Sequence, residues 1–252
     1  MKKINEKGIS GLSPNQERIM SILEYKKIEI IKREELVFFI KKHLKIKDIS
    51  DLIEKLQKKK RLVSIKKGVY MIIPFSSIDK KWALDEYQIA DYLLKKDYYI
   101  GLSNAFNMHG FTEQISNKIF IFNTKYSSDK KILHYGFKFF KIKKEKLFGI
   151  FNQKYPYSDK ERTIIDALDY SGYLGGLSEV IDIIKVSKYD KFKLINYAIE
   201  YNSIKIMKLV GLLTNSPKLF ILLNKKNAFS YYTTIRKSRT KLLDKKWKIR
   251  LT

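Results

Sequence analysis

The stretch ISDLIEKLQKKKRLVSIKKGVYMIIP, residues 49–74, decides the fold. In its first half Ile49, Leu52, Ile53 and Leu56 recur at i, i+3, i+4 and i+7, which puts apolar groups on one face of a helix, and Asp48 stands just before them as an N-cap. After about Lys59 the period changes to two. Leu62, Ser64 and Lys66 alternate before Lys67-Gly68, and Val69, Met71 and Ile73 alternate after it. Gly68 supplies the positive φ of a tight hairpin turn, and Pro74 ends the second strand because it has no N–H to give the ladder.

Two further helices precede this stretch. Ser13 reads as an N-cap with Pro14 at the first helical position, and Ile19, Ile22 and Leu23 follow at helical spacing to about Tyr25. A second helix is expected from about Lys32 to Leu44, with Leu36, Phe39, Ile40 and either His43 or Leu44 on one face. Three helices and a hairpin in this order predict a winged helix-turn-helix over residues 1–75. Residues 76–81, with two serines and an Asp-Lys-Lys run, read as a linker. The fold expected is α+β, an N-terminal winged helix-turn-helix followed by a larger mixed α/β domain over 82–252.

In that second part a helix is expected over about 84–96, then a strand over 98–101 and a short helix through Met108. Alternating segments at 119–123, 135–142 and 147–152 suggest an antiparallel or mixed sheet. Helices are expected over 158–170, 177–184, 191–201 and 204–213, before a tail of short strands.

Charge bounds the partner. The chain of 252 residues carries 52 Lys+Arg against 26 Asp+Glu, a formal +26. Abundant Ile, Asn and Tyr, with Lys far outnumbering Arg, fit AT-rich coding, but such coding does not explain why the acids fall behind. A polyanion does, and nucleic acid leads, ahead of an anionic membrane surface. The longest apolar runs, Tyr70 to Phe75 and Leu219 to Leu223, are too short to span a bilayer, so no membrane partner is expected. Without cysteine there are no disulfides and no thiolate chemistry. The segment from Met1 to Asn15 has lysines but no apolar core of a signal peptide, and the chain reads as cytoplasmic.

Enzyme chemistry finds little support. His43, His109 and His134 show no metal-ligand spacing, and neither a Gly-x-Ser-x-Gly elbow nor a phosphate loop occurs. A magnesium nuclease needs clustered carboxylates. Asp129 and Asp244 are instead isolated acids followed by lysines, and read as turns. His109, before Gly110, reads as a residue that caps carbonyls or packs under a loop. Arg162 and Asp166, at i and i+4, read as an ion pair near a helix start rather than an acid–base site. No catalytic residue, metal or cofactor is expected.

In a winged helix the helix after the tight turn enters the major groove and the hairpin lies beside it. With Ile49, Leu52, Ile53 and Leu56 inward, Lys45, Lys47, Ser50, Asp51, Glu54, Lys55 and Lys58 face outward, and Ser50, Asp51 and Lys55 are best placed to meet base edges. Arg61, Lys66 and Lys67 are expected to give the hairpin its phosphate contacts. The C-terminal stretch from Lys225 to Arg250 holds ten basic residues, among them Arg236, Lys237 and Arg239, with Asp244 the only acid. Such a cluster suits a further stretch of DNA backbone.

The hairpin RLVSIKKGVY (61–70), GLSNAFNMHGFTEQ (101–114), DKERTIIDAL (159–168) with Gly175-Gly176, and the ending TKLLDKKWKIR (240–250) together resemble the AbiEi-type antitoxins of type IV toxin–antitoxin systems. The resemblance covers nearly the full length. It implies a repressor that binds inverted repeats of double-stranded DNA in its own promoter. It further implies a C-terminal domain that counters a nucleotidyltransferase-like toxin without a stable complex. The alternative is a winged-helix regulator whose second domain is a sensor with no toxin partner.

Overall fold

The computed structural model of the chain describes residues 11–75, 77, 85–132, 135–235 and 241–252. It is mixed α+β, with ten α-helices and three sheets among those residues. Packing divides the chain into two compact units, Met1–Ile89 with Ile132–His134, and Ala90–Lys131 with Tyr135–Thr252. The division falls inside a helix, α4 (Glu86–Leu94). The linker expected at 76–81 lies, Ser77 apart, outside the described residues. No described helix is long and apolar enough to cross a membrane.

The first unit runs α1 (Pro14–Tyr25), β1 (Ile30–Lys32), α2 (Arg33–His43), α3 (Ile49–Lys58), β2 (Leu62–Lys66) and β3 (Val69–Ile72). Pro14 opens α1, and the Gln16 side chain accepts from the Ser13 backbone N–H at 3.0 Å, satisfying a donor that the helix leaves free. Asp48 caps α3 by accepting from the Asp51 N–H at 2.9 Å. Ile19, Leu23, Leu36, Ile40, Leu52, Ile53 and Leu56 meet in one core with Leu62, Tyr70 and Ile72 of the strands. Lys59, just past α3, donates to Gln16 at 2.8 Å and so ties the end of α3 to the start of α1.

The three strands form an antiparallel sheet in the order β1-β3-β2. Gly68 adopts φ +72 in the turn, as expected, where a side chain would be strained. A bulge between Ser64 and Lys66 interrupts the pairing and turns Ile65 inward, leaving Ser64, Lys66 and Lys67 exposed. Strand β1 is additional to the expected elements. The third strand lets the chain enter α2 directly from the sheet.

The second unit is built on a six-stranded mixed sheet in the order β6-β7-β5-β4-β9-β8. Its strands are β4 (Tyr98–Ile100), β5 (Lys118–Asn123), β6 (Ser128–Ile132), β7 (Tyr135–Lys141), β8 (Ile150–Asn152) and β9 (Pro156–Ser158). Around it lie α5 (Leu102–Met108), α6 (Lys160–Asp169), α7 (Leu177–Val186), α8 (Lys191–Tyr201), α9 (Ile204–Thr214) and α10 (Pro217–Lys225). Residues 160–168 of α6 hold eight consecutive buried positions from Glu161 on, so this helix is the axis of the unit. Strands β10 (Thr233–Ile235), β11 (Leu242–Asp244) and β12 (Ile249–Leu251) make a small sheet, with Trp247 packed so closely on Gly211 that a Cβ there would collide with the indole.

Two elements differ from expectation. The stretch after Leu213 begins with a helix, α10, rather than short strands: Ser216 caps it through the Leu219 N–H at 3.3 Å, Pro217 starts it, and Leu219 and Leu223 bury its inner face. Asp129 lies in strand β6, not in a turn, and pairs with Lys118 and Lys138 at 3.2 and 3.1 Å.

Candidate nucleic-acid interface

The apolar face of α3 is spent on the core, so its polar face is what the helix offers to a partner. Ser50 and Lys55 are exposed and Asp51 is half-buried. Lys45 and Lys47 are exposed in the connection that leads into α3, and Lys66 and Lys67 are exposed on either side of the hairpin turn before Gly68. Asp51 pairs with Lys55 at 2.7 Å and Glu54 with Lys58 at 2.6 Å, each one turn apart. The Glu54 carboxylate, by hydrogen bond and charge, raises the Lys58 ammonium above its ordinary pKa. An exposed pair such as Asp51–Lys55 is worth only about 0.3–0.5 kcal/mol, so a phosphate can take the lysine at little cost.

Arg33 joins these groups. It sits in the first turn of α2, exposed, with its backbone N–H donating to the Gly68 carbonyl at 2.8 Å and its Nη2 donating to Ser50 Oγ at 3.0 Å. Its Nη1 reaches the Tyr70 hydroxyl at 3.5 Å. The start of α3 and the turn of the hairpin are therefore neighbours on one surface, with an arginine between them. Lys58, eight residues beyond Ser50 at about 1.5 Å per residue, stands roughly 12 Å farther along the helix. It belongs to the far end of the face. Sequence reading passed over Arg33 because β1 (Ile30–Lys32) is too short to show a period and was not foreseen.

Arg61 is not a phosphate contact of the hairpin. It is 8% exposed, its Nη1 donates to the Pro74 carbonyl at 2.6 Å, and its guanidinium lies 5.1 Å from the Phe75 ring centre. Placed at the base of the hairpin, it clamps the two strand ends together. Arg236, Lys237 and Arg239 lie outside the described residues, as does His134.

The polar residues of the second unit serve its interior. His109 ends α5 and its Nε2 lies 2.8 Å from the Ser158 carbonyl, between Phe111 and Phe151. Arg162 is fully buried: Nε and Nη2 each meet Asp166 Oδ1 at 3.1 Å, and Nη2 donates to the Tyr99 hydroxyl at 2.6 Å. Tyr99 in turn donates to Asp166 Oδ2 at 2.9 Å, while the rings of Tyr99, Phe148 and Tyr201 surround the guanidinium. Burial lowers the Arg162 pKa most, but the Asp166 charge and hydrogen bond together with Tyr99 and Tyr201 outweigh it and hold the guanidinium firmly protonated. With neither charge open to solvent, the pair has no access to a substrate. Asp244 ends β11 and accepts from the Trp247 N–H at 2.6 Å across the following turn.

No protein-family model and no curated protein matches the chain. Among solved structures, the crystal structure of the RV2827C protein from Mycobacterium tuberculosis is similar over 95% of this chain and 92% of that one, with a TM-score of 0.69 and 13% identity. At that identity the likeness speaks for the fold alone.

Proposed function

We propose that the chain is a DNA-binding transcriptional repressor and antitoxin. Its first unit is a winged helix-turn-helix that reads inverted repeats in operator DNA, and its second unit counters a nucleotidyltransferase-like toxin without a stable complex. The observation that carries the DNA half is the Arg33 bridge, which sets the polar face of α3 beside the basic turn of the hairpin. In that arrangement α3 enters the major groove with Ser50, Asp51 and Lys55 toward base edges, while Lys45, Lys47, Lys66 and Lys67 meet phosphates. Arg33, between the two, is the added contact. The order helix, strand, helix, helix, hairpin and the sheet order β1-β3-β2 support the same reading.

The antitoxin half is supported by the resemblance carried by residues 101–114, 159–168 and 175–176. The test has two arms. Footprinting on the DNA upstream of the chain's own reading frame should protect paired half-sites in inverted orientation, and co-expression should relieve growth arrest by a neighbouring nucleotidyltransferase-fold protein. Protection without rescue leaves a repressor only; neither protection nor rescue rejects the proposal.

A further inference from the structure

Helix α2 turns one stripe of side chains away from the first core. Leu36 and Ile40 are buried, while Glu34, Phe38 and Lys42, at successive i, i+4 positions, are exposed. Phe38 stands at the middle of the stripe, 63% exposed, with its ring edge-on to Phe39 at 6.4 Å between centres. Phe39 stacks on His43 at 6.2 Å and packs against the first core, so the exposed ring rests on a fixed neighbour.

A single exposed phenyl is ordinary on a protein surface. The charges around this one are not placed at random. An acid at the start of a helix and a base at its end suit the helix dipole, which accounts for their signs. Their spacing goes further: Glu34 and Lys42 each lie four residues from Phe38, about 6 Å along the axis in opposite directions. Separated by roughly 12 Å on their own helix, they do not reach each other. Neither forms an ion pair with another described residue. Turned end for end about Phe38, the stripe is its own complement, acid against base.

We propose that this face of α2 is the docking surface for a second copy of the chain, with the two α2 helices antiparallel about a twofold axis at Phe38. Such a contact is isologous: the two Phe38 rings meet at the axis, and Glu34 of each copy pairs with Lys42 of the other. Helix axes about 8–10 Å apart bring both pairs within reach. An aromatic centre with a polar rim is the ordinary composition of an interface. One helix face is small beside the roughly 800 Å² per partner of a standard complex, so the dimer is weak and concentration-dependent. Glu35, whose carboxylate accepts from the Lys32 N–H at 3.3 Å, stays with its own chain. The contact needs no DNA, so its failure leaves the DNA reading standing, and the reverse. It also relates two α3 helices by a twofold axis, the symmetry of an inverted repeat.

The test is sedimentation velocity of the full chain without DNA, from about 1 to about 300 μM, in roughly 0.15 M salt. There the Debye length of about 8 Å screens the general repulsion of a chain with formal charge +26. The native chain should pass from monomer to dimer across that range. Glu34→Lys and Lys42→Glu each set like charges opposite one another at both ends of the contact, and each should weaken self-association at least ten-fold. Repulsion between whole chains would instead move the two in opposite directions, because the first raises the net charge and the second lowers it. The double variant, with both pairs reversed, should dimerise as the native chain does. An equimolar mixture of the two single variants should form a heterodimer. Phe38→Ser should weaken dimerisation at least ten-fold, and circular dichroism of every variant should match the native chain, since all three positions are exposed. A native chain monomeric throughout would leave the face to solvent or to another partner and overturn the inference. Native self-association in both single variants, tighter dimers from Lys42→Glu, or a double variant and a mixture as monomeric as the single variants would overturn it too.

Discussion

At the residue scale, basic side chains of the first unit divide into those that hold the hairpin and those that face outward. Arg61→Ala removes a buried guanidinium and strands the Pro74 carbonyl it serves. Leaving such a group unsatisfied costs about 1–3 kcal/mol. Chemical denaturation should register that loss, while the salt dependence of DNA binding stays as in the native chain. Arg33→Ala should do the reverse, leaving stability within about 0.5 kcal/mol and weakening DNA. Replacing Ser50 should cost about 1–3 kcal/mol on the operator and much less on random duplex, since only base contacts discriminate sequence; equal losses on both would assign Ser50 to positioning. In the second unit Arg162→Ala leaves the Asp166 carboxylate buried without its partner, a change expected to cost about 3–5 kcal/mol. A melting curve close to the native one would show that the pair does not hold the core.

At the scale of elements, Ile53 is 1% exposed at the centre of the first core, and Ile53→Ala should cost about 2–5 kcal/mol by leaving a cavity under α3. Helix α3 and the hairpin were legible because their periods, 3.6 and then 2, are sustained and punctuated by Asp48 and Gly68. Strand β1 was not, since three residues are too few to show a period, and its place comes from pairing with β3 forty residues later. Helix α10 was missed for another reason. Its apolar run Leu219 to Leu223 is equally compatible with a strand, and only the Ser216-Pro217 cap distinguishes the two. Arg61 was misassigned because a hairpin arginine looks alike in sequence whether it faces phosphate or Pro74. The Arg162–Asp166 pair was read correctly from spacing, but its burial depends on Tyr99, Phe148 and Tyr201, which no local pattern links.

At the scale of the whole molecule, a formal charge of +26 makes association with any polyanion fast and salt-sensitive. Part of that charge lies beyond the first unit. Lys241, Lys245, Lys246 and Arg250 are exposed around β11 and β12, with Lys248 and Arg250 both set over the Tyr232 ring. If this end also follows the DNA backbone, Arg236→Glu, Lys237→Glu and Arg239→Glu together should shorten the footprint on the same operator; an unchanged footprint would confine recognition to the first unit.

The most direct measurement is the affinity of the full chain for duplex DNA across a range of salt concentrations, native against Lys66→Ala with Lys67→Ala. Log affinity should fall linearly with log salt, and the double variant should lose roughly 0.9 of that slope for each phosphate contact removed, on operator and random duplex alike. A native chain whose binding ignores salt, or a double variant with the native slope, would contradict the placing of DNA against α3 and the hairpin.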